Sequence, residues 1–262
     1  MSDREGTRAL RFLVAAVALF ALDHAWWALV PDPAGGVSAG PRGHLLALVA
    51  SGLTLAVLVR VARRARYAGR PLLFLLAAVA FAIPAVNLVE AVLFGLDLKP
   101  AELPRHYAHA LLAAMAGAAL AACVASRPGQ AQAARPTPPF RARGLLAVPL
   151  YVFLYLAAGI MAWPFLKPFY SGREMPGLGP VLLMQLFRGS VFAVVVCFVS
   201  RSDGESRGQG AVSAALVMAV LGGIAPLLPD NPYLPEAIRR VHLVEVGVSN
   251  FFFGLLGALL VG

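Results

Sequence analysis

The stretch PLLFLLAAVAFAIPAVNLVEAVLFGL, residues 71–96, decides the fold. It exceeds the roughly 20 apolar residues needed to cross a hydrocarbon core, and its single ionisable side chain is Glu90. With no water at that depth, its backbone must satisfy its own N–H and C=O groups, which makes it a helix. Working outward, similar apolar blocks recur over residues 10–30, 44–62, 106–125, 144–166, 179–200, 210–228 and 238–261. The short alternating segments that build a transmembrane barrel are absent from the sequence. The expectation is an all-α polytopic integral membrane protein with about eight transmembrane helices.

Composition agrees. Sixty per cent of the 262 residues are hydrophobic and 13% are charged, about half the charged share of a soluble domain. A net charge of +9 would suggest nucleic acid in a soluble protein. Here the basic residues lie between the apolar blocks, where the positive-inside rule accounts for them. The bilayer is therefore the expected partner, and nucleic acid is not. With the N-terminus in the cytoplasm, fourteen Lys and Arg residues fall in inner segments and seven in outer ones, with Arg188 inside a helix. Both termini are thus expected on the cytoplasmic side. Arg outnumbers Lys twenty to two, a composition associated with GC-rich bacteria, so a bacterial inner membrane is the expected location. The first block ends Asp23-His24-Ala25-Trp26-Trp27, without a small-residue cleavage site, and reads as a retained helix. Cys123 and Cys197 lie toward cytoplasmic helix ends and offer no disulfide framework.

The polar, proline-rich segment 127–143 reads as a cytoplasmic linker between two four-helix halves, 1–126 and 144–262. An offset of 137 places Leu45-Leu46 on Leu182-Leu183, Gly52 on Gly189, Arg64 on Arg201 and Trp26 on Trp163. An offset of 136 places His106 on His242 and His109 on Glu245. These matches predict a parallel 4+4 internal repeat. Outer connections containing Pro31-Asp32-Pro33, Lys99-Pro100, Lys167-Pro168 and Pro229 to Pro235 read as stiff caps. Pro84 and Gly222-Gly223-Ile224-Ala225-Pro226 mark kinks, and Gly117, Gly254 and Gly257 mark close-packed faces.

Function is sought where charge is expensive. His24, Glu90, His109, Arg188, His242 and Glu245 lie inside or at the ends of apolar blocks, where a charge costs on the order of 2.5–3.5 kcal/mol or more. The expected topology puts all of them, with His106, Asn87 and Gln185, in the outer half or near mid-depth. Asn87 and Glu90, His106 and His109, Gln185 and Arg188, and His242 and Glu245 are i,i+3 pairs, each sharing one helix face. The expectation is a periplasmic-side pocket lined by Glu90, Arg188, His242, Glu245, Asn87, Gln185, His24 and His109 above an apolar floor. Such a pocket suits a small anionic ligand or a lipid headgroup bound through Arg188. It also suits a Zn or Fe ion held by residues among His106, His109, His242, Glu245 and Glu90, with hydrolase or transferase chemistry as one use. Two other readings stay open: a transporter or permease built on the repeats, and a structural or accessory membrane protein whose charges form buried ion pairs.

Overall fold

A computed structural model describes residues 2–30, 40–65, 68–96, 98–125, 142–202, 206–231 and 233–261. The expected linker, but for residues 142 and 143, lies outside the described residues, as do Pro31-Asp32-Pro33 and Pro232. The described residues form helices and their connections, with no strand. The helices are α1 (Ser2–Leu29), α2 (Pro41–Arg64), α3 (Arg70–Leu93), α4 (Leu103–Ala125), α5 (Ala147–Tyr170), α6 (Leu178–Ser202), α7 (Arg207–Leu227) and α8 (Glu236–Val261). All eight are long and apolar enough to cross a membrane, which fits a multi-pass membrane protein.

Local chemistry sets the ends. Pro41 opens α2 and Arg63 and Arg64 close it, where cations complement the partial negative charge of a helix C-terminus. α3 ends on Gly95 at φ +61, with Gly95 N–H donating to Val92 O and Leu96 N–H to Ala91 O. These are the paired bonds of a Schellman cap, and its left-handed residue favours glycine. Ser206 caps α7 by accepting from Gln209 N–H. At the expected kink, α7 widens into a π-turn over Val220–Ile224 and then continues to Leu227. The other expected kink residue, Pro84, lies within α3.

One expected connection is instead helical. Lys167-Pro168 does not cap a helix, because α5 runs through both Pro164 and Pro168 to Tyr170. Proline deletes one N–H and clashes with the preceding turn, but membrane helices tolerate it where the freed groups find other partners. At the end of α5 the Ser171 hydroxyl donates to Pro168 O at 3.1 Å, satisfying one of the carbonyls the helix terminus leaves open.

Each half is organised around its last helix. α4 lies against α1, α2 and α3, and α8 lies against α5, α6 and α7. The halves meet where α3 crosses α6 and α2 crosses α7. The core holds Leu55, Leu58, Leu76, Ile83, Phe192, Met218 and Phe253, all fully buried. Phe74, Phe153, Ile160 and Leu183 instead project outward from the bundle. An apolar periphery of this extent suits a hydrocarbon solvent. Small residues let the helices of the second half approach at backbone distance, as expected for Gly254: a Cβ there would lie 2.6 Å from Ala214 O and Ala215 Cα. At Gly257 the nearest neighbour would be a Val196 methyl at 3.5 Å, an ordinary contact.

That contrast is testable. Gly254→Ala should lose about 1–3 kcal/mol through overpacking. Gly257→Ala should be neutral or stabilised by up to about 1 kcal/mol through helix propensity. Denaturant unfolding in detergent micelles measures both.

Candidate functional site

α3 and α6 lie antiparallel: Glu90 meets Arg188, and residues preceding Glu90 (Pro71 to Ala82) line one groove with residues following Arg188 (Val191 to Phe198). Side chains on a helix lean toward its N-terminus. Glu90 on α3 and Arg188 on α6 therefore lean toward each other. Arg188 Nη1 donates to Glu90 Oε2, and Gln185, one turn earlier on α6, donates through Nε2 to Glu90 Oε1 at 2.8 Å. Both carboxylate oxygens are thus occupied from one helix face. Arg188 and Gln185 are buried at 3% and 0% exposure, while the Glu90 side chain retains 18%. The Arg188 guanidinium also lies 5.1 Å from the Phe192 ring centre and 5.9 Å from that of Tyr151, within cation–π range. Gly189 gives Tyr151 this place, because a Cβ there would lie 2.9 Å from the tyrosine ring.

A second chain of groups adjoins the first. His242 Nδ1 and Glu245 Oε2 are 2.8 Å apart, and Tyr170 Oη lies 3.1 Å from His242 Nε2. A carboxylate only accepts, so His242 donates from Nδ1, and in the neutral ring Nε2 is then the acceptor for the Tyr170 hydroxyl. The hydrogen bonds thus run in one direction, from the end of α5 to Glu245 on α8. Both groups border α5: the Tyr151 ring lies 5.9 Å from the Arg188 guanidinium, and Glu245 Oε1 lies 3.8 Å from where a Cβ on Gly159 would stand, two turns further along the helix.

The remaining candidates lie elsewhere. Asn87 turns toward the π-turn of α7, its amide Nδ2 3.5 Å from Gly222 O. His109 Nε2 donates to Asp23 Oδ1 at 2.8 Å, and His24 Nδ1 donates to Phe20 O at 3.1 Å. The His24 ring is 5.3 Å from His44, Trp27 lies against both His106 and His109, and Tyr233 Oη is 3.2 Å from His106 Nε2. The expected single pocket therefore resolves into a deep cluster and a histidine–tryptophan cluster between α1 and α4. His24 and His109 belong to the second.

The expected metal set is divided in the same way. His106 and His109 lie in the histidine–tryptophan cluster, while Glu90, His242 and Glu245 lie in the deep one. Among the described residues, no three His, Cys, Asp or Glu side chains are grouped to hold a metal ion. Two anchors escaped the sequence reading. Asp23 was noted only as part of a helix end, and Tyr170 fell in a segment read as connection.

Buried polar atoms without a hydrogen-bond partner among the described residues include Gln185 Oε1 and Arg188 Nε beside Glu90, Asn87 Oδ1 and Asn250 Nδ2 by the π-turn, and Trp26 Nε1 near His109. Leaving such an atom unsatisfied costs about 1–3 kcal/mol.

Arg188→Met leaves Glu90 without its cation and should destabilise the protein by about 3–5 kcal/mol, as for other broken buried pairs. Adding Glu90→Gln should recover most of that loss. A double-mutant cycle of unfolding free energies in micelles measures the coupling, and additive effects would count against the pair. Comparison of this chain with protein-family models, curated proteins and solved structures found no match.

Proposed function

We propose that this chain is a bacterial inner-membrane protein that binds a small polar ligand or a lipid headgroup at the deep cluster, from the periplasmic side. The observation that carries the reading is the pair Gln185 and Arg188. Both are fully engaged with Glu90, and each still presents a buried polar atom without a partner, Oε1 on one and Nε on the other. A structural tie needs only the ion pair; the additional acceptor and donor are what a ligand uses. On this reading the Tyr170–His242–Glu245 chain would supply an acid–base group for hydrolase or transferase chemistry. Because Arg188 is already balanced by Glu90, its charge is less available to an anion than its isolated position in the sequence implied.

The sidedness rests on the arginines. Arg60, Arg63, Arg64, Arg70, Arg201 and Arg207 gather at one set of helix ends, whereas all five histidines lie toward the other. By the positive-inside rule the arginine-rich end is cytoplasmic, with both termini there. At that end the polar contacts tie α2 to α7: Arg60 donates to Ser213 Oγ at 3.1 Å and Arg64 to Gln209 Oε1 at 2.7 Å. A one-sided site accounts for this arrangement better than a transport route.

A parallel 4+4 repeat is part of the same reading. At the offset of 137, the span Pro41–Arg64 corresponds to Leu178–Arg201, and Arg70, which opens α3, corresponds to Arg207, which opens α7. Pro84 in α3 then corresponds to Leu221 in the α7 π-turn. The neighbours of α4 in the first half are matched by those of α8 in the second.

Two measurements test these claims. Protein purified gently from native membranes should retain a small molecule or lipid, detectable by mass spectrometry, that is depleted in Gln185→Met and Glu90→Gln. Equal retention in all three would refute the site. For topology, a cysteine introduced at Lys99 should react with a membrane-impermeant thiol reagent from the periplasm, while Cys123 and Cys197 stay protected.

A further inference from the structure

An apolar groove of about 340 Å³ runs between α3 and α6 toward the arginine-rich end, near the lower limit of ligand pockets and narrow enough for a single chain. Its floor includes Val79 and Val195, buried at 2% and 4% exposure. Its rim carries Phe74 and Phe198, both exposed. The groove therefore opens on the lipid side of the bundle.

Its floor is in helical register with the deep cluster. Val79 and Glu90 are eleven residues apart, three turns along one side of α3, and Val195 and Arg188 are seven apart, two turns along one side of α6. Following either helix from the groove toward the histidine end leads to the ion pair, over about 16 Å on α3 and about 10 Å on α6. Glu90, half-buried where Arg188 and Gln185 are fully buried, lies on the groove's own wall helix.

The head of a ligand at that point is defined by the unpartnered atoms. Gln185 Oε1 requires a donor and Arg188 Nε an acceptor. One hydroxyl or one amide supplies both. An added anion would meet two carboxylates, Glu90 and Glu245, with Arg188 already engaged by the first. We infer that the occupant is an amphiphile drawn from the bilayer, with a neutral hydroxyl or amide head at Gln185 and Arg188 and a long alkyl or prenyl chain in the α3–α6 groove. Ala82, at the near end of the groove, lies eight residues from Glu90, or about 12 Å, and Phe74 lies about 24 Å away. Chains shorter than about 12 Å do not reach the groove. Lipid tails solvate such a chain as well as the protein does, so the head supplies the affinity and the groove fixes where the tail lies.

This inference rests on the deep cluster being a ligand site, and the test separates the two. Protein in phosphatidylcholine nanodiscs is irradiated with a long-chain primary alcohol carrying a diazirine at the far end of its chain, or with a short-chain alcohol carrying the diazirine beside its head. The long probe should label α3 and α6 around Phe74 and Phe198, and the short probe should label them around Glu90 and Arg188. Gln185→Met should reduce both signals about fivefold, the effect of losing one neutral hydrogen bond, whereas the periphery variant Leu183→Ala should reduce neither. Ala78→Phe, which fills the groove, should abolish the long probe's labelling near Phe74 and spare the short probe's. An alkane bearing the same diazirine and labelling the groove as strongly as the alcohol, in wild type and in Gln185→Met, would overturn the amphiphile and leave bulk lipid as the occupant. Absence of short-probe labelling near Glu90 in wild type would overturn the ligand site itself. Stronger labelling by a fatty acid probe than by the alcohol would overturn the neutral head.

Discussion

The contact between Glu90 and Arg188 is the constraint on which the rest of the architecture depends. Neither charge is affordable alone at membrane depth, and the pair joins α3 of the first half to α6 of the second. Helix direction makes the meeting natural, because each side chain leans toward its own N-terminus in an antiparallel pair. Gln185 fills the second carboxylate oxygen, and the Phe192 and Tyr151 rings flank the guanidinium. Low polarity around such a group strengthens each hydrogen bond and raises the cost of every one left unmade. The pair thereby fixes the relative position of the halves and concentrates unsatisfied polar atoms in one place.

Much of this was legible in the residues, and the limits are physical. Eight apolar blocks specify eight helices, because a lipid solvent leaves the backbone no other open-chain solution. The i,i+3 spacing correctly joined His242 to Glu245 and put Gln185 with Arg188, since those relations lie within one helix. Contacts between helices depend on rotation and tilt, which spacing does not encode. Hence His109, read as a companion of Glu90, bonds to Asp23 on α1 instead, and Asn87 faces α7. Tyr170 was missed because Lys167-Pro168 suggested that the helix had ended. Tyr151 did not figure among the expected pocket residues, yet its ring lies 5.9 Å from the Arg188 guanidinium.

The proposed repeat makes the site's asymmetry informative. A two-fold relation between the halves would pair the α3–α6 crossing with the α7–α2 crossing, and both occur. At the offset of 137, Glu90 corresponds to Leu227, Arg188 to Ser51 and Gln185 to Leu48. One crossing carries the ion pair, and its counterpart carries none of the three groups. The surroundings differ as well: α7 is the most enclosed of the eight spans, whereas α3 keeps a lipid-facing side. The α2–α7 crossing carries its polar contacts at the arginine-rich end instead, Arg60 donating to Ser213 Oγ and Arg64 to Gln209 Oε1, whereas Glu90 and Arg188 meet toward the histidine end. On the proposed repeat, the two crossings thus differ in where their polar groups lie, and α3–α6 alone sets a charged pair beside a lipid-facing groove.

A structural role for the charges makes a different demand on their neighbours. Buried ion pairs that serve only as ties can often be replaced by well-packed apolar residues without loss, and nothing in a tie calls for further polar groups around it. Here Asn87 and Asn250 lie at a π-turn of α7, a helical irregularity that recurs at functional sites. Together with Gln185 and Arg188 they hold four buried atoms without partners, at about 1–3 kcal/mol each. Dispersed over the molecule, such atoms would read as local imperfections. Two of them, Gln185 Oε1 and Arg188 Nε, instead sit on the very side chains that hold the Glu90 carboxylate, which is what the proposed binding site calls for. On the proposed function, a group that both donates and accepts would offset that cost, and this demand goes beyond anything an ion-pair tie makes.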